Sequence, residues 1–139
     1  MTREVDYALR ILRALSDGEL STAAQLCERE AIPKQFAYKT LKKLEKAGFV
    51  ALTRGAAGGC KLCADLREKT LFDLVSALDA QLQVNACMQA DYQCSWREAH
   101  KGRPCLIHTQ LSAIQQTIDA ELRRYSLSSI LLGEEKCEL

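Results

Sequence analysis

Cys87, Cys94, Cys105 and His108 stand at the spacing Cys-x6-Cys-x10-Cys-x2-His in a polar, charged stretch. Thiolates and imidazole are soft ligands that suit iron–sulfur clusters, zinc or copper(I). Cys105 and His108 are three apart, so on a helix they share a face, and Cys87 and Cys94 would reach across from the loop. Arg97, His100, Lys101 and Arg103 lie between them. Their positive charge would favour thiolates and offset the negative charge of a cluster. His100 reads as a solvated loop residue and is the lesser candidate for the ligand in place of His108. A free cysteine is usually a small buried hydrophobe. Three of them among Asp91, Arg97 and Lys101 do not match that description.

Four further cysteines, 27, 60, 63 and 137, bring the total to seven. An odd number in a chain without a signal-peptide pattern leans toward metal or redox chemistry rather than a disulfide framework. There is no apolar run long enough to span a bilayer, and charged residues interrupt the first thirteen positions. A soluble, cytoplasmic protein with no membrane partner is the expectation. Cys60-Lys61-Leu62-Cys63 is a CxxC that suits a redox pair or a metal half-site, but more often such residues are plain strand positions. Cys27 reads as core and Cys137 as part of a frayed tail.

These ligands follow a segment of different character. Residues 1–63 carry 11 Lys/Arg against 7 Asp/Glu, a net of +4, whereas residues 64–139 carry 8 against 11, a net of −3. Lys34, Lys39, Lys42, Lys43, Lys46, Arg54 and Lys61 face a single acid, Glu45, within 33–63. A local basic block in a near-neutral chain is the footprint of a phosphate-contacting face.

The elements that must carry this block are legible from apolar spacing. Val5, Ala8, Leu9, Leu12 and Leu15 predict a helix over 3–16, closed by Asp17-Gly18. Ser21 is the expected cap of a second helix, 21–30. After a turn at Ala31-Ile32, Pro33 suits the first turn of a third helix, which ends at Gly48 with Phe36, Ala37, Leu41 and Leu44 inward. A β-prone run at 49–52, a glycine-rich turn at 54–59 and Cys60–Cys63 predict a hairpin. Thr70 is the expected cap of a fourth helix with Leu71, Leu74, Val75 and Leu78. A loop over 84–104 then leads to a long helix from Cys105 to about Arg124. The narrow stripe of Leu106 or Ile107, Leu111, Ile114, Ile118 and Leu122 on it resembles a coiled-coil seam. It implies a dimerisation helix, or else packing on the fourth helix of the same chain.

The fold class is therefore mainly α: a winged helix-turn-helix with a small β-hairpin wing and a long C-terminal dimerisation helix. In such a unit the second helix of the pair enters the major groove with its N-terminal side chains on base edges. Here those are Lys34, Gln35, Tyr38 and Lys39, where Gln can pair with adenine and Lys can reach guanine or phosphate. Lys42, Lys43 and Lys46 lie farther along and suit phosphates, which position without specifying. Arg54 at the wing tip could enter the minor groove.

Taken in order, these segments resemble the IscR/NsrR-type winged-helix regulators over nearly the whole chain. The likeness is carried by Asp6-Tyr7-Ala8-Leu9-Arg10, Ile32-Pro33, Leu44-Glu45-Lys46-Ala47-Gly48-Phe49-Val50, Arg54-Gly55-x-x-Gly58-Gly59, the cysteine–histidine loop and Tyr125–Leu131. The resemblance implies a homodimer on a roughly palindromic double-stranded operator, with cluster state gating DNA binding. It implies Cys87, Cys94 and Cys105 as ligands. The fourth would be His108, as in IscR-like members with a 2Fe–2S cluster, or Asp6 from the partner chain, as in NsrR-like members with a 4Fe–4S cluster. This chain departs from the family in its ten-residue second gap, where five is common, and in Cys60, where an aromatic is usual. Tyr38 occupies a recognition-helix position that is often acidic in IscR-like members.

The expected division is a DNA-binding domain over 1–80, a cluster-binding loop over 81–104, and a dimerisation helix with C-terminal segment over 105–139. The expected function is a transcriptional regulator, a repressor, that senses redox state, nitric oxide or iron. Zinc in the same site, or a thiol switch through Cys60 and Cys63, is the alternative. An enzyme is not expected: a redox CxxC sits at a helix start near a βαβ unit, and this one falls in a hairpin.

Overall fold

The computed structural model describes residues 2–78 and 82–133. Cys137 lies outside the described residues. Three helices, α1 (Arg3–Ala14), α2 (Ala23–Glu30) and α3 (Lys34–Lys46), precede a hairpin of β1 (Val50–Thr53) and β2 (Gly59–Leu62). The chain continues through α4 (Leu71–Ala77), a 3-10 turn at Ala86–Met88, the short α5 (Ser95–Ala99), α6 (Leu106–Arg123) and α7 (Leu127–Leu132).

The apolar stripe of α1 sets the centre of the core. Val5, Ala8, Ile11, Leu12 and Leu15 are fully buried, with Leu26 from α2, Leu44 from α3 and Phe49 before β1. Burying each of the larger side chains in this set contributes roughly 1.5–3 kcal/mol. The mainly helical winged helix-turn-helix expected from the sequence is present in this order.

Local chemistry explains where the elements begin and end. The cap of α2 is Thr22, one residue beyond the expected Ser21, because Thr22 and Gln25 form a reciprocal capping box. Ser21 is buried instead and exchanges backbone hydrogen bonds with Cys60 at 3.0 and 2.8 Å, tying the α1–α2 linker to the wing. Pro33 is the N-cap of α3 rather than a residue of its first turn. Phe36 is 39% exposed and rests against Tyr7, so it lies beside the core and not inside it. Gly48 stops α3 as expected, at φ +77°.

The hairpin pairs Val50 with Leu62 through Thr53 with Gly59 in antiparallel register. Two of its glycines are required by close backbone approach: a Cβ on Gly58 would lie 2.2 Å from Thr53 O, and one on Gly59 2.7 Å from Ser21 O. Thr70 caps α4 through a second capping box with Asp73. The closing segment then returns to this region. Leu127 N–H donates to Lys69 O at 2.7 Å, Ser128 N–H donates to Leu66 O at 2.9 Å, and the Leu127 side chain is fully buried.

The segment from Leu82 to Arg123 is built differently. Neither α5 nor the 18-residue α6 contains a single buried residue. α6 packs on α4 and on the 3-10 turn. Its face toward the fourth helix is thus used, while Leu106, Ile107 and Ile114 are 72%, 67% and 50% exposed.

Candidate metal centre and nucleic-acid interface

The four ligand candidates meet around one cavity of about 510 Å³, lined by Cys87, Cys94, Cys105 and His108 together with Arg97. Each is placed by a local turn. Cys87 lies within the 3-10 turn, whose start is fixed by Asn85 Oδ1 accepting from Ala86 N–H at 2.8 Å. Cys94 is the N-cap residue of α5 and Cys105 that of α6. Neither sulfur makes a capping hydrogen bond, so both remain available to a ligand. His108 stands in the first turn of α6. Among the described residues, no three His, Cys, Asp or Glu side chains converge tightly enough to grip a single metal ion.

His100 is not part of this lining. Its ring stacks on Trp96 at 4.2 Å, and Nδ1 donates to Trp96 O at 2.8 Å. Asp6 is exposed on α1 and pairs with Arg10 at 2.8 Å. To reach a partner's cavity it would have to release that arginine.

Sequence spacing did not single out the walls of the cavity. Tyr92, Trp96, Pro104, Leu106 and Ile107 supply its apolar lining. The one available signal was the chain's single tryptophan, four residues before His100 between two candidate ligands. Two contacts anchor the loop to α6: Val84 N–H donates to Gln115 Oε1 at 2.8 Å, and Ser112 Oγ meets Met88 Sδ at 3.5 Å.

The CxxC pair does not form a unit in the same way. Cys60 is buried in β2, where its thiol donates to Ser21 O at 3.1 Å, whereas Cys63 is exposed beyond the strand and contacts Gly48 O at 3.3 Å. Burial pushes the Cys60 thiol above its ordinary pKa, because the thiolate would lose its hydration. Cys27 is half-buried against the core.

On α3, Ala37, Thr40, Leu41 and Leu44 face inward. Lys34, Gln35, Tyr38, Lys39, Lys42 and Lys46 are exposed along the helix, and Arg54 is exposed at the wing tip. Among the described residues none of these cations enters a salt bridge, so their charge is free for phosphates. Lys43 departs from the expected phosphate face. Its ammonium lies 3.0 Å from Glu4 Oε2 and 3.0 Å from Leu78 O, directed toward α1 and α4.

Comparison with known proteins agrees with this architecture. Residues 1–132 match the family model Rrf2, described as iron-dependent transcriptional regulator. The chain is 30% identical over 92 residues to Protein aau3 of Rhizobium meliloti (strain 1021), covering 65% of this chain and 60% of that protein. It is 28% identical over 116 residues to the HTH-type transcriptional regulator IscR of Vibrio parahaemolyticus serotype O3:K6 (strain RIMD 2210633), covering 84% of this chain and 66% of that one. The chain thus spans 60% and 66% of the length of these two relatives.

Among solved structures, T. potens IscR superposes with a TM-score of 0.64 at 17% identity, covering 97% of this chain and 88% of that chain. CymR (YrzC), the global cysteine regulator of B. subtilis, gives 0.63 at 18% identity, covering 97% and 98%. At such identities the structural likeness establishes the winged-helix fold alone. The matched family consists of transcriptional regulators, not enzymes. No helix among the described residues is long and apolar enough to cross a membrane.

Proposed function

The chain belongs to the Rrf2 family of transcriptional regulators, and from that membership we propose a homodimeric, operator-binding repressor controlled by an iron–sulfur cluster. The observation that carries the cluster reading is the cavity of about 510 Å³ on which Cys87, Cys94, Cys105 and His108 all border. Soft sulfur and imidazole donors suit such a cluster. Donors spread around a space of that size fit a multi-atom cluster better than a single zinc, whose ligands meet about 2.0–2.3 Å from one point. When bound, the cluster supplies iron whose state follows redox conditions, nitric oxide or iron supply.

The chain's own residues do the rest. Arg97 at the cavity wall offsets negative charge, and Trp96, Leu106 and Ile107 give the cavity an apolar rim that is open to solvent. Lys34, Gln35, Tyr38 and Lys39 read the major groove while Lys42 and Lys46 hold phosphates. Arg54 extends the contact from the wing. The exposed apolar residues of α6 supply the dimer seam, which places two recognition helices on half-sites about one helical turn apart.

A thiol switch through Cys60 and Cys63 is the second reading, and the wing argues against it. Cys60 is buried, hydrogen-bonded and biased toward the unreactive thiol. The test is operator binding by anaerobic protein with and without its cluster. The cluster reading expects different affinities that become equal in Cys94→Ser. A response that survives Cys94→Ser and vanishes in Cys60→Ser would favour the thiol switch.

A further inference from the structure

Lys43 lies on the recognition helix and is not directed at DNA. Its side chain is 27% exposed, and its ammonium is shared between the Glu4 carboxylate on α1 and the carbonyl of Leu78, each at 3.0 Å. Leu78 is the C-cap residue of α4, immediately before the chain runs on to the cysteine loop. A helix C-terminus carries partial negative charge and unpaired carbonyls, so a lysine ammonium is a fitting cap. Glu4 in turn sits in the first turn of α1, where partial positive charge favours a carboxylate. One ammonium therefore joins three helices: the start of α1, the end of α4 and the last turn of α3.

We infer that Lys43 is a positioning residue that couples the stem of the cysteine loop to the recognition helix. This rests on the cluster-switch reading above. A displacement of the α4 end when the loop takes up its ligated arrangement draws on the Lys43–Leu78 hydrogen bond and so on α3. The start of the loop is also held by Gln115 on α6, which accepts from Val84 N–H. A change in the loop is thus passed to the DNA-reading helix at Lys43 and to the dimer helix at Gln115. Lys42, one residue away and exposed, belongs to the phosphate face instead.

The two roles separate experimentally. The probe is a fluorescein-labelled duplex enriched by the wild-type protein from a randomised pool, titrated anaerobically with cluster-loaded and cluster-free protein over a range of salt. In cluster-free protein, Lys42→Met loses about 1.8 from the slope of log affinity against log salt, the signature of one phosphate contact in each protomer of the dimer. Lys43→Met leaves that slope unchanged. The ratio of loaded to cluster-free affinity is on the order of 5- to 150-fold for an ordinary allosteric coupling. It collapses toward one in Lys43→Met, with the iron and sulfide content of the protein unchanged.

Lys43→Arg, whose several donors can hold both carboxylate and carbonyl, keeps the wild-type ratio. Should Lys43→Met fail to fold because Glu4 is left without its cation, the Glu4→Gln/Lys43→Met double variant carries the same expectation. A Lys43→Met protein that retains the wild-type ratio, or loses the slope of a phosphate contact, overturns the inference and leaves the cluster reading intact. A wild-type ratio of one overturns both.

Discussion

Residues 2–78 and residues 82–123 of this chain are held together by different means. In the first region α1, α2, α3, the wing and α4 enclose a shared core in which Val5, Ile11, Leu12, Leu26 and Leu44 are fully or almost fully removed from solvent. In the second, α5, α6 and the 3-10 turn bury nothing completely. The first region holds nearly all of the buried side chains and shares its core with Leu127 of α7. The second is attached to α4 on one side and leaves an apolar helix face and a cavity lined by Cys87, Cys94, Cys105 and His108 open on the other. Elements with few buried contacts are where opening and rearrangement are cheapest. A DNA reader gains from rigidity, and a sensor gains from a segment whose order depends on what it binds.

The contrast can be broken by mutation. Leu12→Ala removes a fully buried side chain and is expected to cost about 2–5 kcal/mol in urea unfolding of the whole chain. Ile114→Ala, at a half-exposed position on α6, is expected to change dilute-protein stability by no more than about 0.5 kcal/mol. It should instead raise the concentration at which a dimer dissociates in sedimentation. Equal costs at the two positions would erase the distinction between the regions.

A smaller effect sharpens the boundary. Thr70→Ala removes the capping box of α4, the helix on which α6 rests, and is expected to cost about 1 kcal/mol in the same unfolding assay. Smaller again is a pH effect in the wing. Burial raises the Cys60 thiol pKa in the folded protein. The folded chain therefore keeps a proton that the unfolded chain releases near the ordinary thiol value of about 8.5. Stability from this source is complete below that value and declines as pH rises through the raised one. Cys60→Ala should flatten the alkaline decline of the melting temperature, and Cys63 should alkylate faster than Cys60 in native protein. The opposite order of alkylation would contradict the buried placement of Cys60.

The sequence made the first region legible because its signals are local. Apolar spacing in α1, the glycine after α3 and Thr70 before α4 each act within a turn or two. Where reading failed, a distant contact decided. Ser21 looked like a cap, but Thr22 takes that role while Ser21 bonds to Cys60 across the wing. Phe36 had inward periodicity, yet it meets Tyr7 at the core's edge. Lys43 shared the charge of its neighbours, and only the approach of α1 and α4 reveals that its ammonium is already engaged.

In the second region the cysteine spacing announced a soft ligand set. The cavity walls and the separation of His100 from His108 depend on α5, a five-residue helix too short to leave a periodic signal. The stripe on α6 was correctly seen as apolar, but spacing alone does not apportion it between α4 and a partner. The structure assigns part of it to α4 and leaves Leu106, Ile107 and Ile114 exposed.

The most direct test of the account is an anaerobic absorption spectrum of purified protein, with iron, sulfide and zinc quantified on the same sample. The account predicts a coloured protein with about two to four irons and matching sulfide per chain, both lost in Cys94→Ser while the urea midpoint of the winged-helix region stays in place. A colourless protein carrying about one zinc per chain, or no metal after anaerobic reconstitution, would contradict the cluster and leave the DNA-binding region to be explained by another switch.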